Sequence, residues 1–314
     1  MFGDCRRKYY YHYYHSWGGW KRDDPEIAED VKKAYLLKQL LNLDVWAGKV
    51  VDKAVDFALT RVRSGMPMAA DELLKWVLAY ARQTRDESEK ELWRSDPKRY
   101  FALYEHYYGE QVPRARWAAL REKVEKCVTN FPQSEAYQVI NSAPISDWVR
   151  LDKKGERVAY FSLDGLKVYA QIDFTLRRGG GYLLIDWKSG KQREGADMDQ
   201  LSVYALYAVY EMGCALTELR VAPVYLLQGG RLNEQTISQE QLDRIEALIH
   251  GSSHEMAEYL YNPVENIARI EDFDLTPDVW RCASCNFKEI CEGARREASG
   301  PEEPPPPWED EEPI

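Results

Sequence analysis

Hydrophobic and polar positions change rhythm once along this chain. Over the first half, apolar residues recur at three- and four-residue spacing, which predicts amphipathic helices over 26–43 and 45–62. Gly65-Met66-Pro67 interrupts the pattern, and further helices are predicted over 69–93, 97–108 and 113–130, with Pro97 and Pro113 at first-turn positions. From about Ile145 the apolar runs become short and alternating. Strands are predicted over 166–176 (LKVYAQIDFTL) and 182–189, separated by Arg177-Arg178-Gly179-Gly180-Gly181, a hairpin signal. A helix over 198–212, a strand over 219–227 and a helix over 238–260 complete the order. Helices followed by a strand pair, helix, strand and helix imply a mixed α/β core carrying a large helical insertion. No internal repeat is present.

The hairpin fixes a register. A two-residue turn centred on Gly179-Gly180 sets Phe174 opposite Ile185 and Ile172 opposite Trp187, apolar against apolar. The other face then sets Asp173 opposite Asp186 and Gln171 opposite Lys188. Facing carboxylates repel, by something under ~1 kcal/mol when exposed and by more where solvent is poor. A divalent cation converts that repulsion into shared coordination, and all-oxygen ligands suit Mg²⁺ or Mn²⁺ better than zinc. Lys188 is then placed to orient a water or stabilise developing charge, or it balances one acid in a structural ion pair. In the next helix Gln200 and Tyr204 lie four apart on one face of a segment that is otherwise apolar almost all round. Buried there, they need polar partners, supplied by a metal site, a DNA phosphate or the core itself.

Asp173, then Asp186-Trp187-Lys188, then Gln200-x-x-x-Tyr204, in this order, resembles the PD-(D/E)XK nuclease superfamily, and within it the RecB-like branch. The resemblance implies a restriction-endonuclease-like core, a mixed central sheet flanked by helices. It also implies that Asp173, Asp186 and the backbone carbonyl of Trp187 hold the metal. Lys188 then places or activates the attacking water, and Gln200 and Tyr204 shape the site and contact DNA. RecB-like members often carry a histidine ligand four residues after a glycine on an early helix. In Trp46-Ala47-Gly48-Lys49-Val50-Val51-Asp52 that position holds Asp52, so Asp52 is the expected third side-chain ligand, a shorter arm with an added negative charge. None of the five histidines, at 12, 15, 106, 250 and 254, occupies it.

Cys282-x-x-Cys285-x5-Cys291 places three thiols in one short segment and asks for a fourth ligand, for which Cys5 is the candidate. AddB-type relatives of this branch use one N-terminal and three C-terminal cysteines to hold a 4Fe–4S cluster. By that resemblance Cys5, Cys282, Cys285 and Cys291 are cluster ligands, with zinc as the alternative. Cys127 and Cys214, in apolar helical stretches, read as core thiols.

Composition and charge adjust this picture at its edges. A 45% hydrophobic fraction excludes wholesale disorder. The absence of an apolar run long enough to span a membrane and of an apolar leader predicts a cytoplasmic protein with reduced cysteines. The formal net charge of −10 argues against a nucleic-acid partner until it is located: residues 300–314, GPEEPPPPWEDEEPI, hold six of the acids and no base. The remainder is near neutral, and at the other end Arg6, Arg7 and Lys8 are interleaved with tyrosines, a composition suited to a phosphate backbone and stacked bases. Five segments follow: an N-terminal basic and aromatic segment with the first core helices (1–64), a helical insertion (65–142), the nuclease core (143–262), a cysteine-rich iron–sulfur segment (263–299) and a disordered acidic tail (300–314). The expected function is metal-dependent hydrolysis of DNA phosphodiester bonds, in repair, recombination or defence, alone or beside a helicase or recombination partner. The competing expectation is a catalytically weakened DNA-binding module on the same fold.

Overall fold

A computed structural model describes residues 1–149, 158–192 and 194–295. The acidic tail lies outside the described residues. The described residues form two compact units, one of Asn42–Asp86 and Glu110–Gly251, the other of Met1–Leu41, Glu87–Gly109 and residues 252–295.

The first of these is built on a four-stranded sheet in the order Trp148–Val149, Phe174–Arg178, Gly181–Lys188, Leu219–Tyr225. Neighbours are antiparallel except the last pair, Gly181–Lys188 with Leu219–Tyr225, which is parallel. The parallel connection is made by the helix Glu194–Met212, whose Leu201, Ala205, Leu206 and Ala208 are wholly buried. That helix packs with Leu184, Leu219 and Val221 of the sheet and with Phe161 and Leu163, as its all-round apolarity requires. Each such fully buried Leu or Phe contributes about 1.5–3 kcal/mol of transfer free energy. Pro223 sits in the outer parallel strand, where a missing N–H is tolerated. The long helix Leu43–Arg63 packs on the helix Arg114–Asn130 and is N-capped by Asn42, whose side chain accepts from Val45 N–H.

The predicted hairpin register holds where the strands pair: Phe174 faces Ile185 and Arg178 faces Gly181, around Gly179 and Gly180 at φ +61° and +86°. These positive angles are what a tight two-residue turn demands and what glycine supplies without steric cost. The predicted single strand over 166–176 is two strands. Leu166–Ala170 pairs instead with Ala159–Leu163 in a separate two-stranded sheet, and the chain breaks step at Gln171–Asp173. The side chains of the site cause the break: Gln171 gives its carbonyl to the Tyr204 hydroxyl, and Asp173 gives its carboxylate to Trp187 N–H. The expected pairing of Asp173 across from Asp186 is therefore replaced by a side-chain bridge to the next residue.

The second unit is rich in aromatic packing. Helix Glu29–Leu37 ends earlier than predicted, and Leu40–Leu41 pairs in parallel with Ala102–Leu103. Of the helix predicted over 97–108, only Tyr104–Tyr107 forms. Tertiary hydrogen bonds override local propensity there: Ser88 Oγ accepts from Leu103 N–H, Tyr104 donates to the Ala283 carbonyl, and Tyr108 donates to the Asn286 carbonyl. Phe287 is fully buried and stacks on Tyr11 with ring centroids 5.5 Å apart. Among the described residues no helix is long and apolar enough to cross a membrane.

Candidate active site

The sheet unit gathers its charged side chains at the ends of the strand Gly181–Lys188 and the helix Glu194–Met212. Asp186 is 3% exposed, although its neighbours Leu184 and Ile185 are core residues. Its Oδ1 accepts from Gln200 Nε2 at 3.1 Å. Its Oδ2 lies 2.7 Å from Lys188 Nζ as a charge partner, but no aligned hydrogen bond satisfies that buried oxygen. Tyr204, also 3% exposed, has one hydroxyl proton; it goes to the Gln171 carbonyl at 2.6 Å, with Asp186 Oδ1 at 3.1 Å as the longer alternative. Gln200 Nε2 reaches the Tyr204 oxygen at 2.5 Å, and Gln200 Oε1 accepts from Lys188 Nζ at 2.5 Å. Gln200 and Tyr204 thus brace Asp186 and Lys188. The Tyr204 hydroxyl is engaged by the protein's own groups.

Asp173 accepts the Trp187 N–H at 2.8 Å. The residue keeps solvent contact, but its carboxyl is recessed among protein atoms; that desolvation raises it to about 7, with the Asp186 charge adding to the rise and the Trp187 hydrogen bond opposing it. Asp52 joins from the helix Leu43–Arg63. Its side chain keeps solvent contact but is recessed among protein atoms, which together with the Asp186 charge raises it to about 6 against the pull of Lys49 and Lys188. Gly48, one turn earlier, permits this approach, since a Cβ there would meet Ser189 Oγ at 3.3 Å. Asp186 is also raised, first by burial, against the attraction of Lys188. Burial works to lower Lys188, yet its close pairing with Asp186 and the charge of Asp197 leave it raised. A cleft of about 520 Å³ runs beside the acids, lined by Asp52, Asp56, Arg63, Trp148, Gln171 and Asp173 among others.

Three acids of like charge gather near one lysine, Asp186 buried and Asp52 and Asp173 with solvent contact. That donor set fits a hard divalent cation. Among the described residues no group of three His, Cys, Asp or Glu side chains already converges at ion-binding spacing. The reason is visible: Asp173 is spent on Trp187 N–H, and Asp186 on Gln200 and Lys188. Asp186 Oδ2, paired with the Lys188 ammonium at 2.7 Å but without an aligned hydrogen bond, is the atom that a cation would take over.

A family model described as the PD-(D/E)XK nuclease superfamily matches residues 1–292. The chain belongs to the PD-(D/E)XK nuclease superfamily. Its members are in general divalent-metal-dependent nucleases that act on DNA, and the mixed sheet flanked by helices is consistent with their restriction-endonuclease-like fold. No curated protein matches the chain. Two polar residues of this candidate site were not singled out in the sequence. Asp197, 8% exposed, lies 3.5 Å from Lys188 Nζ through Oδ1. Tyr225 donates to Asp197 Oδ2 at 2.5 Å. The first was legible as 197, 200 and 204 sharing one helical face. The second needed the parallel register that pairs Lys188 with Tyr225.

In the other unit, Cys5, Cys282, Cys285 and Cys291 line one cavity of about 150 Å³. All four are half-buried free thiols. Burial pushes Cys285 up to about 11, with the charges of Cys291 and Cys5 adding to it and Lys8 opposing, and burial raises Cys291 as well. Cys5 also N-caps the helix Arg6–Tyr10, its Sγ accepting from Lys8 N–H at 3.4 Å. Arg6 pairs with Glu255 at 3.2 Å and lies over the Tyr259 ring. Arg7, expected on a DNA-facing surface, is 8% exposed and spent inside the unit: Nε donates to the Phe273 carbonyl at 2.7 Å and a terminal nitrogen to Glu292 at 2.8 Å. Cys127 and Cys214 are buried.

Proposed function

We propose that this protein is a RecB-like deoxyribonuclease that hydrolyses DNA phosphodiester bonds with water activated at a Mg²⁺ or Mn²⁺ ion. The observation that carries this reading is Asp186, a carboxylate buried at the end of a core strand with one oxygen paired to Lys188 but without an aligned hydrogen bond. Asp52, Asp173 and Asp186 supply the side-chain ligands and the Trp187 carbonyl a backbone one. Lys188 stabilises the charge that develops on the phosphate and places the water; Gln200 and Tyr204 keep both groups in position. Arg6 and Lys8 are the basic residues left to meet a DNA backbone, since Arg7 is internal. Incubation with single- and double-stranded DNA in Mg²⁺ or Mn²⁺, beside Lys188→Ala, tests the reading. Cation-dependent cleavage that the variant abolishes supports it. Binding without cleavage by both proteins would assign the chain to non-catalytic DNA binding.

The four cysteines around one cavity support a second part of the proposal, a structural 4Fe–4S cluster held by Cys5, Cys282, Cys285 and Cys291. Four thiolates satisfy such a cluster, and the cationic Lys8 beside them offsets their charge. Anaerobic purification followed by iron and sulfide analysis decides it, with stoichiometric zinc in place of iron as the result that defeats it.

A further inference from the structure

An ammonium carries three N–H donors and accepts nothing. Lys188 Nζ has three carboxylate or amide oxygens around it: Gln200 Oε1 at 2.5 Å, Asp186 Oδ2 at 2.7 Å and Asp197 Oδ1 at 3.5 Å. Two of the three come from the face of one helix, Asp197 and Gln200, three residues apart. Asp197 is itself held. Its second oxygen accepts the Tyr225 hydroxyl, and Tyr225 stands beside Lys188 in the parallel ladder. Each carboxylate oxygen of Asp197 therefore has a separate task, one facing the lysine and one fixed to the strand next door.

We infer that Asp197, oriented by Tyr225, is a positioning residue that keeps Lys188 aimed into the site when Asp186 is engaged by a cation. The inference rests on the nuclease reading above. An Asp186 oxygen committed to a divalent cation is a poor partner for an ammonium, because the two positive charges then repel across a few ångströms of poorly solvated protein. Without Asp197, Lys188 would keep only the neutral Gln200 oxygen and would turn away from the cation. With it, a buried negative charge 3.5 Å from the ammonium offsets the repulsion. Asp197 and Gln200 hold two N–H groups, and the third, released by Asp186, is directed to the place where water and phosphate meet.

The test uses the full chain and the variants Asp197→Asn, Asp197→Glu and Tyr225→Phe. Asn keeps an acceptor for Tyr225 and removes the charge. In single-turnover cleavage of a DNA oligonucleotide, Asp197→Asn is expected to lower the rate about ten- to hundredfold with KM little changed, and Glu to restore most of it. In a Lys188→Ala background Asp197→Asn should cost nothing more, whereas a merely structural role would cost the same in both. The second readout does not use activity. With ¹⁵N-lysine labelling, the Lys188 ammonium resonance should persist in the Ca²⁺-saturated wild type and vanish in Ca²⁺-saturated Asp197→Asn, while remaining visible in both without the ion. Persistence in the loaded variant, or an unchanged cleavage rate, overturns the inference. A wild type that cleaves no DNA defeats the nuclease reading instead, and the resonance then decides the role of Asp197 by itself.

Discussion

Replacing Asp173 by Asn should make the cation-free protein more stable, and by more at pH 8 than at pH 5. In the folded chain Asp173 is raised from 3.8 to about 7 by burial and by the Asp186 charge. A group raised in this way contributes stability that is complete below its unfolded value and is lost as pH climbs through its folded one. The full displacement would be worth ~4 kcal/mol at pH 8 and ~2 kcal/mol at pH 5, but Asp173 keeps a face open to solvent, and screening there leaves roughly 2 kcal/mol of destabilisation at pH 8 and under about 1 kcal/mol at pH 5. Asn retains an oxygen for the Trp187 N–H and carries no charge, so it should recover these amounts. For a unit of this size the gain is roughly 5 °C in Tm at pH 8 and roughly 2 °C at pH 5. Thermal unfolding in EDTA at the two pH values, followed by tryptophan fluorescence, measures it. Saturating Mg²⁺ should then stabilise the wild type by ~3 kcal/mol at a hundredfold excess over Kd and leave Asp173→Asn almost unmoved. A variant equally stabilised at both pH values, or destabilised at pH 8, would refute the argument that these carboxylates are held together against their own repulsion.

Asp52→Asn should weaken Mg²⁺ binding about tenfold by calorimetry while leaving cation-free stability at pH 5 near the wild type. Arg7→Ala should cost about 2–3 kcal/mol in urea unfolding, because the buried Phe273 carbonyl loses its charged donor. Arg6→Ala, which removes an exposed pair with Glu255, should cost under about 1 kcal/mol. On the cluster proposal, Cys282→Ser should lower the iron content of the anaerobically purified protein and the Tm of the cysteine-bearing unit, read by absorbance and by calorimetry.

How much of this was legible in the sequence depends on the range of the interaction involved. The turn at Gly179-Gly180 and the pairing of Phe174 with Ile185 are local, and alternation on two short strands was enough to set them. The same logic failed three residues further out, because at Gln171–Asp173 the backbone obeys Tyr204 and Trp187 instead of its neighbouring strand. The helix expected over 97–108 failed for the same reason, with Ser88, Ala283 and Asn286 claiming its backbone or its tyrosines. Asp186, Lys188, Gln200 and Tyr204 could be picked out because polar residues on apolar elements are conspicuous. Arg7 misled because a basic residue among tyrosines looks the same whether its partner is a phosphate or a carbonyl of its own chain. Tyr225 is a neighbour of Lys188 only through a parallel register, which no short-range pattern encodes.

The cysteine cavity joins position 5 to positions 282–291, and this sets an order in time. Every residue of the sheet-bearing unit has been synthesised by Gly251, so that unit can fold while the chain is still being made. Cys5 emerges first among the four thiols and waits for its partners through roughly 280 further residues, about 15–55 s of elongation. During that interval it is a lone, accessible thiol beside two arginines and a lysine, open to oxidation or to a passing metal ion. Assembly around the cavity is therefore a late event, and its fidelity depends on the redox conditions in which the nascent chain waits.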